Sequence, residues 1–357
     1  MLTLEDLGWT PSLAAAFEPR AAEGLVPGRI NLEHTHIYRV LTPAGEQLAR
    51  VAGRLRHQAG GRADFTAVGD WVALEPAPPG GGDARIRSIL PRFSRFSRRA
   101  AGDPTEEQVV AANIDVVFLV SGLDQEFSAR RIERYLLTAW DSGATPVIVL
   151  NKCDLVDDVG PYLKAVEAIA QGTPVVAVSA RRRASLQMLR AYLGRGRTAA
   201  LLGSSGVGKS SIVNGLIGEE RLRTQDVRES DSRGRHTSAA RQMVLLPGGG
   251  ILIDTPGMRE LQLWDTGDAL ASAFADIEAL AESCRFRDCR HAGEPDCAVA
   301  AAVEDQRLAP ERLRSYHKLQ QEQAFQTRQQ DQRAQQEQKR RFKIMTKALN
   351  KKLKEDK

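Results

Sequence analysis

Long apolar runs are missing from this chain. None approaches the roughly 18–20 residues needed to span a bilayer, so no helical membrane span is expected. The opening residues, Met1-Leu2-Thr3-Leu4-Glu5-Asp6, lack a basic stretch followed by an apolar one, which argues against a secretory signal. Cysteine is scarce: four in 357 residues, with Cys153 alone and Cys284, Cys289 and Cys297 clustered, which is not the disulfide framework of a secreted scaffold. These absences point to the cytosol. Hydrophobic content of 42% still leaves ample material for a core, and the length leaves room for about two or three domains.

An excess of either charge is also lacking over most of the chain. Residues 311–357 hold 14 Lys/Arg against 6 Asp/Glu, a local net of +8, whereas the other 310 residues sum to −3. The positive excess therefore sits in the tail. It reads either as a polyanion-reaching arm or as a solvated charged helix.

Gly203-Ser204-Ser205-Gly206-Val207-Gly208-Lys209-Ser210 is a complete G-x-x-x-x-G-K-S phosphate loop. The apolar run Ala199–Leu202 reads as a strand entering it, and Ser211 to Ile217 has helical spacing after it. In such a loop, glycines let backbone N–H groups converge on a β-phosphate at a helix N-terminus. Lys209 would neutralise β/γ oxygens and Ser210 would ligate Mg²⁺. Asp254-Thr255-Pro256-Gly257 follows another apolar strand: Asp254 suits the Mg²⁺ shell, and the Gly257 N–H suits the γ-phosphate. Between them, Thr237 in Gly234-Arg235-His236-Thr237 is the candidate switch threonine for Mg²⁺.

Asn151-Lys152-Cys153-Asp154 selects the base. The Asp154 carboxylate accepts from guanine N1–H and the exocyclic amine together, and adenine offers no such pair. Asn151 and Lys152 would brace the phosphate loop and cover the base, and Ser179-Ala180 would offer backbone to guanine O6. This speaks against a metabolic P-loop kinase or ATPase. The base-reading motif precedes the phosphate loop, the reverse of an ordinary GTPase, so a circularly permuted domain is expected. Strands at 116–120, 147–150, 175–178, 199–202 and 251–253 alternate with helices near 129–141 and 162–171, a parallel α/β pattern.

Short β-rich runs between residues 36 and 90 read as a small barrel, either an OB-fold or an SH3-like one. Arg54, Arg56, Arg62, Arg92, Arg95, Arg98 and Arg99, interleaved with Phe93 and Phe96, suit RNA phosphates and stacked bases. Cys284, Cys289, His291 and Cys297 give four soft ligands, as for one structural zinc ion. From Arg312 to Lys357 no Gly or Pro interrupts a helix-compatible tail, in which Tyr316, Leu319 and Phe325 are candidates to dock.

The barrel with Val68-Gly69-Asp70-Trp71-Val72, Ala112-Asn113-Ile114-Asp115, the permuted nucleotide motifs and the Cys/His cluster together resemble the ribosome small-subunit-dependent GTPase A family of bacterial assembly factors. The resemblance covers roughly residues 30–320. It implies GTP hydrolysis to GDP and phosphate, stimulated by the 30S subunit during its late maturation. Contacts to 16S rRNA would come from the barrel, the zinc domain and the C-terminal helix, and hydrolysis would release the factor. A monomer without a membrane partner is expected. The domains are expected at 1–28 (extension), 29–100 (OB-fold barrel), 101–270 (permuted GTPase), 271–320 (zinc-binding) and 321–357 (basic helical tail). Met258 stands where Ras-like enzymes carry a water-orienting Gln, so slow intrinsic hydrolysis is expected. His236 is the candidate to orient water, or else an RNA or switch contact. A GTP-gated RNA-binding module with incidental hydrolysis is the competing reading.

Overall fold

In this computed structural model the described residues are 2–34, 37–78, 81–100, 103–125, 127–170, 172–218, 242–254, 273–310, 312–321 and 324. The chain divides into two units, Met1–Asp265 and Thr266–Lys357.

Alternating apolar residues close five strands into a barrel: β1 (Val26–His34), β2 (Ile37–Thr42), β3 (Gly45–Val51), β4 (Trp71–Glu75) and β5 (Ala84–Ile89). Their order is β1-β2-β3-β5-β4, with β4 returning to β1. The β3–β5 pairing is parallel, and a short helix, Gly53–Gln58, lies between β3 and β4. That arrangement is the OB-fold, which settles the choice left open between two barrels. Ile30, Tyr38, Val40, Val72, Leu74 and Ile86 fill the interior. Gly28 faces this core, and an added Cβ would meet Leu74 Cδ1 and Val40 Cγ1 at 2.6 Å each. The preceding segment carries helix α1 (Pro11–Ala21), capped by the Thr10 hydroxyl. It brings Leu13 and Phe17 onto Trp71, and Trp9 meets Trp71 edge-on at 4.7 Å.

A hairpin of β6 (Arg95–Ala100) and β7 (Asp103–Ala112) leads out of the barrel, and the boundary expected at residue 100 falls within it. Phe96 is 1% exposed and belongs to the core of the next domain. Arg92 is tied to the buried Asp70 carboxylate at 2.7 and 2.8 Å. Neither Phe96 nor Arg92 therefore belongs to the exposed basic–aromatic surface expected from the sequence. Hydrogen bonds to the Ala63 and Phe65 carbonyls complete the Arg92 site.

The following domain is a sheet of β8 (Val116–Gly122), β9 (Thr145–Asn151), β10 (Val175–Ala177), β11 (Thr198–Leu202), β12 (Gln242–Leu245) and β13 (Ile251–Asp254). Its order is β10-β9-β8-β11-β13-β12, parallel except for β12. Odd and even residues of each strand face different cores, as burial on both faces requires. Val117, Leu119, Ile148 and Leu150 pack under α2 (Ala129–Ser142) and α3 (Gly160–Ala170). Val116, Phe118, Val147 and Val149 pack under α4 (Gln187–Arg190) and α5 (Lys209–Ile217). The barrel joins this sheet directly, because β1 pairs with β12 at Leu32–Gln242.

In the second unit, α6 (Ala275–Ala281), α7 (Ala298–Glu304) and the helix of residues 312–321 surround Phe274, which is fully buried. Arg312 binds Asp276 at 2.6 and 2.8 Å and lies over the Phe274 ring. Tyr316 packs edge-on against Phe274 and donates to Glu278 at 2.9 Å, and Leu319 is buried, so both dock on this unit. Phe325 lies outside the described residues.

Candidate nucleotide and metal sites

Strand β11 ends at Leu202, and the chain turns sharply through Gly203–Gly208 before α5 begins at Lys209. A Cβ on Gly203 would sit 2.4 Å from the Val120 carbonyl. Gly208 has φ +94, and a Cβ there would strike Asn151 Nδ2 at 2.2 Å. The loop is thus pressed against strands β8 and β9, which explains both glycines. Lys209 Nζ donates to the Gly203 and Ser204 carbonyls at 2.7 and 2.6 Å, which holds the ammonium over the loop's concave face. Ser210 and Ser211 follow on the first helical turn, where N–H groups lack intrahelical partners. A cation, the N–H groups of a first helical turn and a helix N-terminus together suit a polyphosphate.

The Asn151–Asp154 segment is built at the end of β9. Asn151 is buried and works in two directions: its Nδ2 donates to the Val207 carbonyl at 2.8 Å, and its Oδ1 accepts from Ala180 N–H at 3.0 Å. One amide thereby joins the phosphate loop to the Ser179-Ala180 loop. Lys152 takes a left-handed backbone, φ +65, and its Nζ lies 2.5 Å from the Asp124 carboxylate at the end of β8. Asp154 occupies the short turn Cys153–Leu155. The buried Ser179 hydroxyl lies beside Asp154. With the backbone and with Arg181 and Arg182, it holds the Asp154 carboxyl below the usual carboxylate range against the opposing effect of burial.

Three residues of this site escaped the motif reading. Asp124 pairs with Lys152, and Arg131 at the start of α2 donates to the Ser204 hydroxyl at 3.1 Å. The Ser185 hydroxyl accepts from Ser179 N–H at 3.0 Å and lies 2.8 Å from the Ser179 carbonyl, clamping the loop that carries Ala180. Only their neighbourhood in space marks them, since none lies within a motif. Asp254 ends β13, one residue past Ile253, which is level with Ala200 of the phosphate-loop strand. His236, Thr237, Gly257 and Met258 lie outside the described residues.

In the second unit, the ligating atoms of Cys284, Cys289, His291 and Cys297 all lie within 4.8 Å of one another. Cys284 Sγ is 3.9 Å from Cys297 Sγ and 3.6 Å from His291 Nδ1, which is 3.4 Å from Cys297 Sγ. A zinc tetrahedron with bonds of about 2.0–2.3 Å demands such separations. Burial pushes the His291 imidazole toward the neutral, ligating form. The residues present fit structural zinc. Cys297 also caps α7, its sulfur accepting from Ala300 N–H at 3.4 Å.

A phosphate-loop strand at the centre of a parallel sheet, with the strand that carries the Asn-Lys-x-Asp motif two places away yet earlier in the chain, defines a circularly permuted P-loop GTPase. Residues 89–264 match the RsgA GTPase family. The small ribosomal subunit biogenesis GTPase RsgA of Opitutus terrae is 48% identical, over 92% of this chain and 92% of that protein. The protein of the same name from Streptomyces coelicolor is 44% identical, over 89% of this chain and 86% of its own length. The chain belongs to the RsgA GTPase family. Crystallised YjeQ from Thermotoga maritima, 28% identical, superposes with a TM-score of 0.64 over 84% of this chain and 99% of its own. YloQ, described as a circularly permuted GTPase, shares the fold with a TM-score of 0.62 at 24% identity, covering 85% of this chain and 96% of its own. Among the described residues, no helix is long and apolar enough to cross a membrane.

Proposed function

We propose that this GTPase acts in the cytoplasm, as a monomer, on the maturing 30S ribosomal subunit, and binds 16S rRNA there. The names of the relatives above support the small subunit as partner. The carrying observation is the Asn151 amide, which joins the phosphate loop to the Ser179-Ala180 loop. In this reading Gly203–Ser211 and Lys209 hold the phosphates. Asp154 accepts from the guanine edge, Ala180 N–H serves guanine O6, and Lys152 covers the base. Ser210, Thr237 and Asp254 would hold Mg²⁺, directly or through water, and the ion would neutralise charge developing on the β- and γ-phosphate oxygens. Gly257 offers its N–H to the γ-phosphate. His236 orients the attacking water that Met258 cannot.

Turnover of GTP with purified 30S, 50S and 70S particles tests the assignment. Stimulation should be specific to 30S, and equal turnover with all three removes the small subunit. His236→Ala should lower 30S-stimulated turnover while leaving GTP affinity intact, and unchanged stimulated turnover removes the role given to His236. Met258 favours one second reading, a GTP-gated RNA-binding module in which occupancy matters and hydrolysis is incidental. Single-turnover rates that do not rise with 30S would support it.

A further inference from the structure

The zinc loop puts an aromatic ring where a structural metal site has no need of one. Between Cys284 and Cys289 the chain runs Arg285-Phe286-Arg287-Asp288. The turn is closed by Cys289 N–H bonding to the Phe286 carbonyl at 3.3 Å. Phe286 is 41% exposed, while the apolar side chains of Phe274 and Val299 in the same unit are fully buried. Among the described residues of this unit, Phe286 is the large apolar side chain left open to solvent.

The surroundings of the ring are held in place and cationic. The Arg285 guanidinium lies 5.5 Å from the Phe286 ring centroid and pairs with Asp296 at 2.7 Å. Arg287 and Arg290 are exposed on the same loop. Beyond the turn, Glu294 accepts from the Arg290 and Ala292 N–H groups at 3.1 and 2.7 Å. His317 donates to the Arg290 carbonyl at 2.9 Å. The loop is thus pinned on both sides of the exposed ring, so a ligand would meet a platform ordered in advance.

We infer that Phe286 is a stacking platform for an unpaired RNA base, with Arg287 and Arg290 taking the flanking phosphates. An apolar ring bordered by guanidinium groups suits a base and its sugar–phosphate neighbours, and an aromatic surface accepts any base by its π-face. This inference rests on the RNA-directed reading above and assigns it a contact point. Arginine rather than lysine suits the position, because its planar group both stacks and binds phosphate in a forked geometry.

The test uses the full chain loaded with zinc. Phe286→Ala should weaken binding to isolated 30S subunits about 5- to 100-fold, the range that base–aromatic stacking supplies. Phe286→Tyr and Phe286→Trp should retain it. All three should keep wild-type zinc content and wild-type GTPase activity without subunits, which separates a missing stacking partner from a failure to fold. In the Phe286→Trp protein, added oligouridylate of about ten nucleotides should quench emission beyond the change seen in wild type, within the site sizes common for such strands. Unchanged 30S affinity of the alanine variant overturns the inference. So does weakened 30S affinity with no extra quenching by RNA, which would assign Phe286 to a ribosomal protein. Failure of the wild-type protein itself to bind 30S would instead count against the parent reading.

Discussion

Asn151 commits both ends of one amide to backbone groups of two different loops, so its neighbours inherit a fixed frame. Lys152 then depends on Asp124 for the position of its ammonium group. Replacing Asp124 with alanine should raise the KM for GTP about tenfold, equivalent to about 1.4 kcal/mol of ground-state binding. Its kcat should stay near wild type, and glutamate should restore much of the affinity. Steady-state kinetics decide this: an equal fall in kcat would place Asp124 elsewhere in the reaction. The neighbouring carboxylate gives a pH dependence. Asp154 is held below the ordinary value near about 4, so its ionised form persists as pH falls through that value. Affinity for GDP should therefore stay level down through the ordinary carboxylate range and drop only below it. Calorimetric titration at stepped pH checks this, and a midpoint at or above the ordinary value contradicts it.

Elements in the first unit are joined by a buried cation. Arg29 of β1 is 1% exposed and donates to the carbonyls of Leu7, Gly69 and Asn113. Those carbonyls belong to the N-terminal segment, a barrel loop and the connection into β8. Burial lowers its pKa to about 10, which still leaves it charged at neutral pH. Arg29→Ala strands three acceptors and should cost about 3 kcal/mol or more. For a unit of this size that is roughly 6–12 °C in Tm, and a shift under about 2 °C by calorimetry would refute the expectation. The central strands were legible because β8, β9, β11 and β13 are uninterrupted apolar runs beside motif residues. Strand β12, Gln-Met-Val-Leu, was not, since pairing with β13 and β1 rather than its own pattern defines it. Phe96 and Arg92 misled for a related reason. A sequence shows an Arg–aromatic rhythm but not which ring enters a core or which guanidinium already faces Asp70. The zinc ligands were legible from residue type alone, whereas Asp124, Ser185 and Arg131 act through space.

For the whole molecule, the uneven charge predicts a salt effect. Removing residues 339–357 takes away nine Lys and Arg. If the tail meets RNA, the slope of log affinity for 30S against log salt should become shallower, by about 0.7–0.9 for each phosphate the tail had neutralised. An unchanged slope makes the tail a solvated helix. The permuted strand order also has a consequence during synthesis. Strand β8, buried along its whole length, leaves the ribosome well before its central neighbour β11. The Asp115–Thr198 bond at the foot of that pair spans 83 residues. Until β11 emerges, one edge of β8 is an unpaired apolar template, the kind that invites intermolecular pairing. A nascent chain of this protein is therefore most exposed to aggregation, and most in need of a chaperone, in the interval between strand β9 and its phosphate loop.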